Sequence, residues 1–244
     1  MSSFTSSPVK GGITARSAGA FAELVNKIAT SPSSTRQRLR KAQKKKVLAL
    51  IREGSATAKR SGKYALAMTL TYSNNADFSP KHISRFIDKV RAWLRRLGHQ
   101  FTYVWVLERQ SRLHYHLIVW LPRGVKLDLV KLAKWWPSGC TWTAHCNSVR
   151  DWGAYMAKFS SPAGSFRKNM RLYGSGGFDA TAKQAIMRAG MPRWLLRILP
   201  RSRSARRFPG GGWVDITTGE IFRSPYLWTP FGMLMAAAVV APPV

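Results

Sequence analysis

The sequence predicts an α+β fold in which an antiparallel sheet carries helices packed on one face. Apolar stretches of strand length occupy residues 65–72, 101–108 and 112–121. A helical repeat of apolar residues covers residues 79–97, so this helix would cross over the sheet between the first two strands. Only a short loop separates the second stretch from the third, and a loop of that length joins antiparallel neighbours.

The remaining elements are bounded by residues that begin or end helices. Ser79 would begin the helix over residues 79–97, and Gly98 would end it. Gly54 would likewise end a helix over residues 36–51. The same patterns predict helices over residues 18–28, 126–135, 148–159 and 183–199 (interrupted at Pro192), a short strand over 140–144, and a hairpin over 213–222 that turns at Thr218 and Gly219.

These elements divide the chain into three regions. Residues 1–60 form a basic, partly helical N-terminal extension. Residues 61–163 hold the three long strands and form the core domain, and residues 164–244 form a basic C-terminal region with the hairpin near its centre.

The charge balance indicates a polyanionic partner. The 244 residues include 40 Lys and Arg against 10 Asp and Glu, a formal net charge of +30. Such a surface repels itself unless counterions or a polyanion neutralise it. Nucleic acid is the favoured partner, because each phosphate contact releases condensed counterions. A generic basic protein of the ribosomal type and a membrane-surface protein are the alternatives on charge alone.

Other features exclude several classes of protein. The two cysteines, Cys140 and Cys146, are too few for a disulfide framework and lack a second pair for a zinc ribbon. The first residues contain no apolar segment of the signal-peptide type. The apolar run over 231–240 is far shorter than a membrane span requires. We therefore expect a cytoplasmic protein with no membrane partner.

The most specific feature is a pair of histidines inside an apolar strand. His114 and His116 are two residues apart, so both side chains point to the same face of the sheet. If a loop over residues 110–112 closes the hairpin, Glu108 lies opposite His114 and joins that face. Two imidazoles and a carboxylate with open positions suit Mg²⁺ or Mn²⁺, and also iron or zinc. The basic charge favours the two ions that handle phosphate.

A tyrosine on a nearby helix is the candidate nucleophile. Ser148, with Asp151 three residues later, resembles a capping box that begins this helix. Tyr155 and Lys158 are three residues apart and share one side of it. A phenol has a pKa of about 10 and needs help to attack. A cation that polarises a phosphate, together with the Lys158 ammonium, would supply that help. The alternative is that Tyr155 only packs against the sheet.

Further residues are candidate DNA contacts. Trp135 and Trp136 follow a short helix and would stack on unpaired bases, with packing in the core as the alternative. The basic residues Arg167, Lys168 and Arg171, and the basic segment 36–46, would contact phosphates.

Together these motifs resemble those of the HUH (histidine–hydrophobic–histidine) rolling-circle replication proteins. The most similar type is the replication-initiation protein of filamentous bacteriophages, the inoviruses. The resemblance extends over about residues 60–228. The His-x-His and Tyr-x-x-Lys motifs carry it in combination, and the other matching segments are residues 68–72, 114–122, 135–137, 153–158 and 212–220.

The resemblance implies a ferredoxin-like HUH endonuclease domain with a five-stranded antiparallel sheet. It implies that His114, His116 and Glu108 bind a divalent metal ion, Mg²⁺ or Mn²⁺. It further implies a site-specific nick in single-stranded or origin DNA, with a covalent 5′-phosphotyrosine on Tyr155. The freed 3′-OH then primes a host polymerase, alongside a host helicase in the bacterial cytoplasm, and a second transesterification recloses the circle.

One position departs from the family pattern. Some relatives carry a second tyrosine four residues after the first, and here that residue is Phe159. Termination would then reuse Tyr155, use another group, or involve a second copy of the protein. Two other readings remain: a single-tyrosine HUH transposase or relaxase, and a basic nucleic-acid-binding protein without catalysis.

Overall fold

The computed structural model describes residues 32–158, 166, 170–209, 211–229 and 232–235. The helix predicted over residues 18–28 lies outside this part of the chain. Within it, none of the helices is both long enough and apolar enough to cross a membrane.

The elements follow the predicted alternation of strands and helices. The α-helices are α1 (Pro32–Arg60), α2 (Pro80–Arg96), α3 (Leu129–Trp135), α4 (Val149–Met156), α5 (Ala180–Ala189) and α6 (Arg193–Ile198). The strands are β1 (Lys63–Tyr72), β2 (Thr102–Arg109), β3 (Leu113–Pro122), β4 (Gly139–His145), β5 (Tyr173–Gly176), β6 (Ala205–Arg207), β7 (Trp213–Asp215), β8 (Ile221–Phe222), β9 (Tyr226–Thr229) and β10 (Gly232–Met235).

The central sheet confirms the α+β fold class. Five antiparallel strands lie in the order β4-β1-β3-β2-β5, an arrangement compatible with a ferredoxin-like HUH domain. The predicted hairpin register is also confirmed, because Glu108 pairs with His114 and Val106 with His116. The side chain of Ser79 begins α2 by accepting a hydrogen bond from Lys81 N–H, as its position in the sequence predicted.

Helices cover both faces of this sheet, and not one face as the sequence suggested. Helices α2 and α3 cover the face that carries Tyr115 and Leu117 of β3. Helices α1 and α5 pack on the opposite face, against Ile118 and Trp120. The reason is that β2 and β3 are apolar on both faces, with every residue of β3 from Leu113 to Leu121 buried. A strand buried on both sides needs a helical layer on each.

Helix α1 is longer than predicted, because Gly54 does not end it. Gly54 is buried inside the helix, where the indole of Trp120 occupies the space that a side chain would need. A Cβ atom at Gly54 would lie 2.3 Å from Trp120 Cη2. Glycine therefore serves here as a close-packing residue between helix and sheet, a role that the helix pattern alone does not distinguish from a stop signal.

The C-terminal region forms smaller units. Helices α5 and α6 are separated by a break at Pro192, as predicted. Strands β6, β7 and β8 form a three-stranded antiparallel sheet, and β7 with β8 make the predicted hairpin around Gly219, whose φ is 77°. Strands β9 and β10 pair with each other.

We predict that Gly54→Ala destabilises the protein, although alanine normally favours a helix. The gain in helix propensity is at most about 1 kcal/mol, whereas overpacking a core contact costs about 1–3 kcal/mol. Urea denaturation should therefore give a lower free energy of unfolding. In a Trp120→Leu background the clash is absent, so there Gly54→Ala should be neutral or stabilising. A stabilising effect of Gly54→Ala in the wild-type background would contradict this packing argument.

Candidate metal centre and its neighbouring tyrosine

Three buried polar side chains meet on the α1 face of the sheet. The exposed fractions of Glu108, His114 and His116 are 4%, 9% and 5%. Glu108 Oε2 lies 3.3 Å from His116 Nε2 and 3.8 Å from His114 Nε2. One ligand atom from each residue lies within 4.8 Å of the other two. The hairpin between β2 and β3 thus brings together the three ligands that the sequence predicted.

Neighbouring groups orient the two imidazoles. His114 Nδ1 lies 2.9 Å from the carbonyl oxygen of Arg112, which only accepts hydrogen bonds. Nδ1 therefore carries the proton, and the lone pair of His114 lies on Nε2, facing Glu108. His116 Nδ1 lies 3.1 Å from the Thr69 hydroxyl on β1. Such outer partners hold metal-binding histidines in place and set their tautomers.

The Glu108 carboxylate is ionised in this environment. Hydrogen bonds from His114 and then from His116 lower the pKa of Glu108 to about 2, and they outweigh its burial. The side chain therefore carries its negative charge throughout the physiological pH range.

The cluster fits a divalent cation. The buried His116 Nε2 has no hydrogen-bond partner among the described residues, although it faces the carboxylate. A buried polar atom without a partner is costly unless something else satisfies it. Two neutral imidazole nitrogens and one carboxylate, all converging, are a common donor set for a divalent metal ion. Glu108, His114 and His116 would hold that ion.

Helix α4 places Tyr155 beside this cluster. The Tyr155 ring centroid lies 5.1 Å from that of His116. Two contacts fix the helix: Trp152 Nε1 donates a hydrogen bond of 3.1 Å to the Leu117 carbonyl, and Gly153 packs closely on Ile51 of α1. A Cβ atom at Gly153 would lie 3.0 Å from a methyl group of Ile51.

The surroundings keep the Tyr155 phenol protonated. Burial raises its pKa, and the negative charge of Glu108 raises it further, whereas a hydrogen bond with Gln110 acts in the opposite direction. A cation on Glu108 would cancel that negative charge. Lys158 Nζ lies 5.4 Å from the Tyr155 ring centroid, so the tyrosine already has one positive charge beside it.

Sequence reasoning missed several residues of this site. Thr69 and Gln110 contact His116 and Tyr155, and both are ordinary polar residues in the sequence. Trp152 stacks on Tyr155 at 5.3 Å and leads to Trp142 on β4, 6.1 Å further. The spacing of Trp152 and Tyr155 on one helix was a signal for the first contact, but strand β4 meets α4 only through the tertiary fold.

The two tryptophans predicted to contact DNA lie elsewhere. Trp136 is 1% exposed, and its Nε1 donates a 3.3 Å hydrogen bond to the Thr71 carbonyl. It packs on the sheet face opposite the histidines, so its assignment as a base-stacking residue is corrected to a core residue. Trp135 is half-buried against Trp93 on that same face, with 5.8 Å between ring centroids, and its contact with DNA stays a prediction.

The basic DNA-contact residues are only partly described. Arg167 and Lys168 lie outside the described residues. Arg171 is exposed, and its guanidinium lies 5.5 Å from the Trp105 ring centroid. On α1, the lysines of the basic segment that the structure describes are all exposed: Lys41, Lys44, Lys45 and Lys46.

We predict that Mn²⁺ or Mg²⁺ stabilises this protein through the three ligands. A ligand at one hundred times its Kd stabilises a fold by about 2.7 kcal/mol, which corresponds to a rise of several degrees in Tm at this chain length. His116→Ala removes a ligand and should abolish the shift. His99→Ala removes an exposed histidine far from the cluster in the sequence and should keep it. Equal metal-induced shifts in both variants, measured by differential scanning fluorimetry, would argue against the site.

The comparisons with known proteins concern the same part of the chain. Residues 65–163 match a family model described as Replication-associated protein, of the ORF2 type. This segment includes the three candidate ligands and Tyr155. The chain has no significant match to a curated protein or to a solved structure. The match over residues 65–163 to the replication-associated protein family supports a role in the initiation of rolling-circle replication.

Proposed function

We propose that this protein initiates rolling-circle replication by a metal-dependent, site-specific nick in DNA, with Tyr155 as the nucleophile. The observation that carries the proposal is the packing of the Tyr155 ring, at 5.1 Å, against one histidine of a buried Glu-His-His cluster. A phenol beside a candidate cation site is the arrangement that a tyrosine transesterification requires.

The reaction exchanges one phosphodiester bond for another. The Tyr155 phenolic oxygen forms a bond to the scissile phosphorus, and the bond between phosphorus and the 3′-oxygen breaks. The phenolic proton leaves to solvent and the 3′-oxygen takes up a proton, so the products are a 5′-phosphotyrosine and a free 3′-OH. Because the number of phosphoester bonds is unchanged, the protein keeps the phosphate activated for later closure of the circle.

The side chains around Tyr155 divide the work. Gln110 holds the phenolic oxygen, and Lys158 places a positive charge where the phosphate gains negative charge. Glu108, His114 and His116 would hold Mg²⁺ or Mn²⁺, which neutralises charge on the phosphate when it is bound. The basic residues Arg167, Lys168 and Arg171 would bind the sugar-phosphate backbone outside the reacting bond.

The biological setting follows from the same proposal. A free 3′-OH is a primer, so a host polymerase and a helicase are the expected partners, in the cytoplasm of a bacterium that carries an inovirus-type phage. A single-tyrosine transposase or relaxase would perform the same first step on different DNA. A non-catalytic DNA-binding protein is the less favoured alternative, because it would bury Glu108 and two histidines without using them.

We predict that Tyr155→Phe abolishes the covalent adduct while folding, DNA binding and metal binding persist. Phenylalanine keeps the ring and its packing but removes the attacking oxygen. The measurement is a gel assay for protein linked to single-stranded DNA in Mn²⁺, followed by peptide mapping. Tyr173→Phe is the matched control, because Tyr173 is also half-buried and lies beside the same core cluster. An adduct on Tyr72, Tyr173 or any residue other than Tyr155 would refute the assignment.

We predict that Lys158→Ala lowers the rate of adduct formation and leaves its position unchanged. The ammonium stabilises charge without forming a bond, and a single donor of this kind commonly contributes about 10²–10³-fold. Single-turnover kinetics on a saturating oligonucleotide separate this effect from weaker binding. Lys126→Ala, which removes an exposed lysine from the loop after β3, is the control for the loss of one positive charge. Equal rates in the two lysine variants would exclude this role for Lys158.

A further inference from the structure

An exposed tryptophan lies at the end of an aromatic row that begins at the candidate nucleophile. The ring centroids of Tyr155 and Trp152 are 5.3 Å apart, with planes inclined by 23°. Trp142 follows at 6.1 Å, inclined by 39°. Trp142 is 51% exposed, although tryptophan is a residue that usually packs.

We propose that Trp142 is a stacking platform for an unpaired DNA base close to the phosphate that Tyr155 attacks. This inference rests on the proposed function, since it places the reacting phosphate at Tyr155. It adds a second contact for the bound strand: a base held on Trp142 while the phosphodiester reaches the cluster of Glu108, His114 and His116.

The sheet provides a path between the two contacts. Trp142 pairs with Thr69 across β4 and β1, and Thr69 pairs with His116 across β1 and β3. Cys140, Thr71 and His114 form the next row on the same face. Thr69 and Thr71 are half-buried, so short side chains with hydroxyl groups separate the platform from the histidines. A strand of DNA can cross this surface without meeting a bulky residue.

The occupant is single-stranded DNA on grounds of charge and shape. Lys158 lies at the Tyr155 end of the aromatic row, and the protein carries a formal net charge of +30, so a polyanion is attracted to this face. Only an unpaired base exposes a free face for stacking on an indole, because duplex bases are already stacked on each other. Trp142 is on the edge strand β4, where one side of the strand has no neighbouring strand in the sheet. An approaching base therefore finds the indole accessible.

Stacking of this kind predicts a sequence-tolerant contribution to affinity. Loss of one base–aromatic contact typically weakens binding by about five- to a hundredfold, and we expect about tenfold for Trp142→Ala. Trp142→Phe keeps a ring and should recover most of the affinity. Because Trp142 is half-exposed, neither change should greatly lower the stability of the fold.

The first experiment measures binding without cleavage. Fluorescence anisotropy of a labelled oligo(dT) in a chelating buffer gives Kd for the wild type, Trp142→Ala, Trp142→Phe and a control. Leu129→Ala is the control, because it removes an exposed apolar side chain, 60% accessible, from helix α3, which packs on the opposite sheet face. We expect a loss of about tenfold for Trp142→Ala only. An unchanged Kd for that variant, or an equal loss with the control, overturns the proposal.

The second experiment locates the base. An oligo(dT) with one 5-iododeoxyuridine is cross-linked to the wild-type protein by light, and the modified peptide is mapped. We expect the cross-link on Trp142, and an excess of unlabelled single strand should suppress it better than the matching duplex. Equal suppression by duplex, or a cross-link elsewhere in the chain, overturns the assignment of an unpaired base. A tightly bound protein partner at Trp142 would likewise show as a surface that no oligonucleotide protects.

A third measurement uses the natural cysteines. Cys140 is exposed and shares a face with Trp142, whereas Cys146 is buried. Bound oligo(dT) should slow the alkylation of Cys140, and unhindered alkylation of the saturated complex overturns the proposed path. All three tests are made without metal, so they do not depend on nicking. If Tyr155→Phe still formed adducts, the proposed chemistry would fail while these binding results stood.

Discussion

The register of the hairpin between β2 and β3 is the constraint on which the rest of the site depends. The loop of three residues closes the hairpin so that Glu108 faces His114. Side chains alternate across a strand, so a slip of one residue on either strand would move its ligands to the opposite face. The register is held because Tyr115, Leu117 and their neighbours are needed in the core on the other side. The site is therefore secured by apolar packing that never touches it.

Burial of three polar groups makes this arrangement both costly and sharp. An ionised carboxylate away from water is tolerated only with partners, and here the two histidines supply them. The same burial leaves His116 Nε2 without a hydrogen-bond partner among the described residues, which is the feature that a cation would satisfy. The cluster is thus organised in advance for a cation, with its outer partners Thr69 and the Arg112 carbonyl already in place.

The position of the tyrosine depends on a second set of contacts. Helix α4 has only two turns, so its own hydrogen bonds cannot hold it on the sheet. It is anchored by the indole of Trp152 on β3 and by the close approach of Gly153 to α1. Helix α1 thereby reaches from the N-terminal region into the site, and β5 and α5 complete the sheet and its second core from the C-terminal side. The region of residues 61–163 draws its packing from both of its neighbours.

What the sequence alone determined were the features that depend on local periodicity. The strands, the crossover helix, the hairpin register and the three ligands follow from alternation along two strands and the length of one loop. Tertiary structure decided the rest. Gly54 was a stop signal in the helix pattern and became a packing contact, because Trp120 approaches it from a distant strand. Trp136 entered the core and Trp142 stayed exposed, although both follow similar local patterns. The physical reason is that burial depends on which element covers a side chain, and that cover comes from residues far away in the chain.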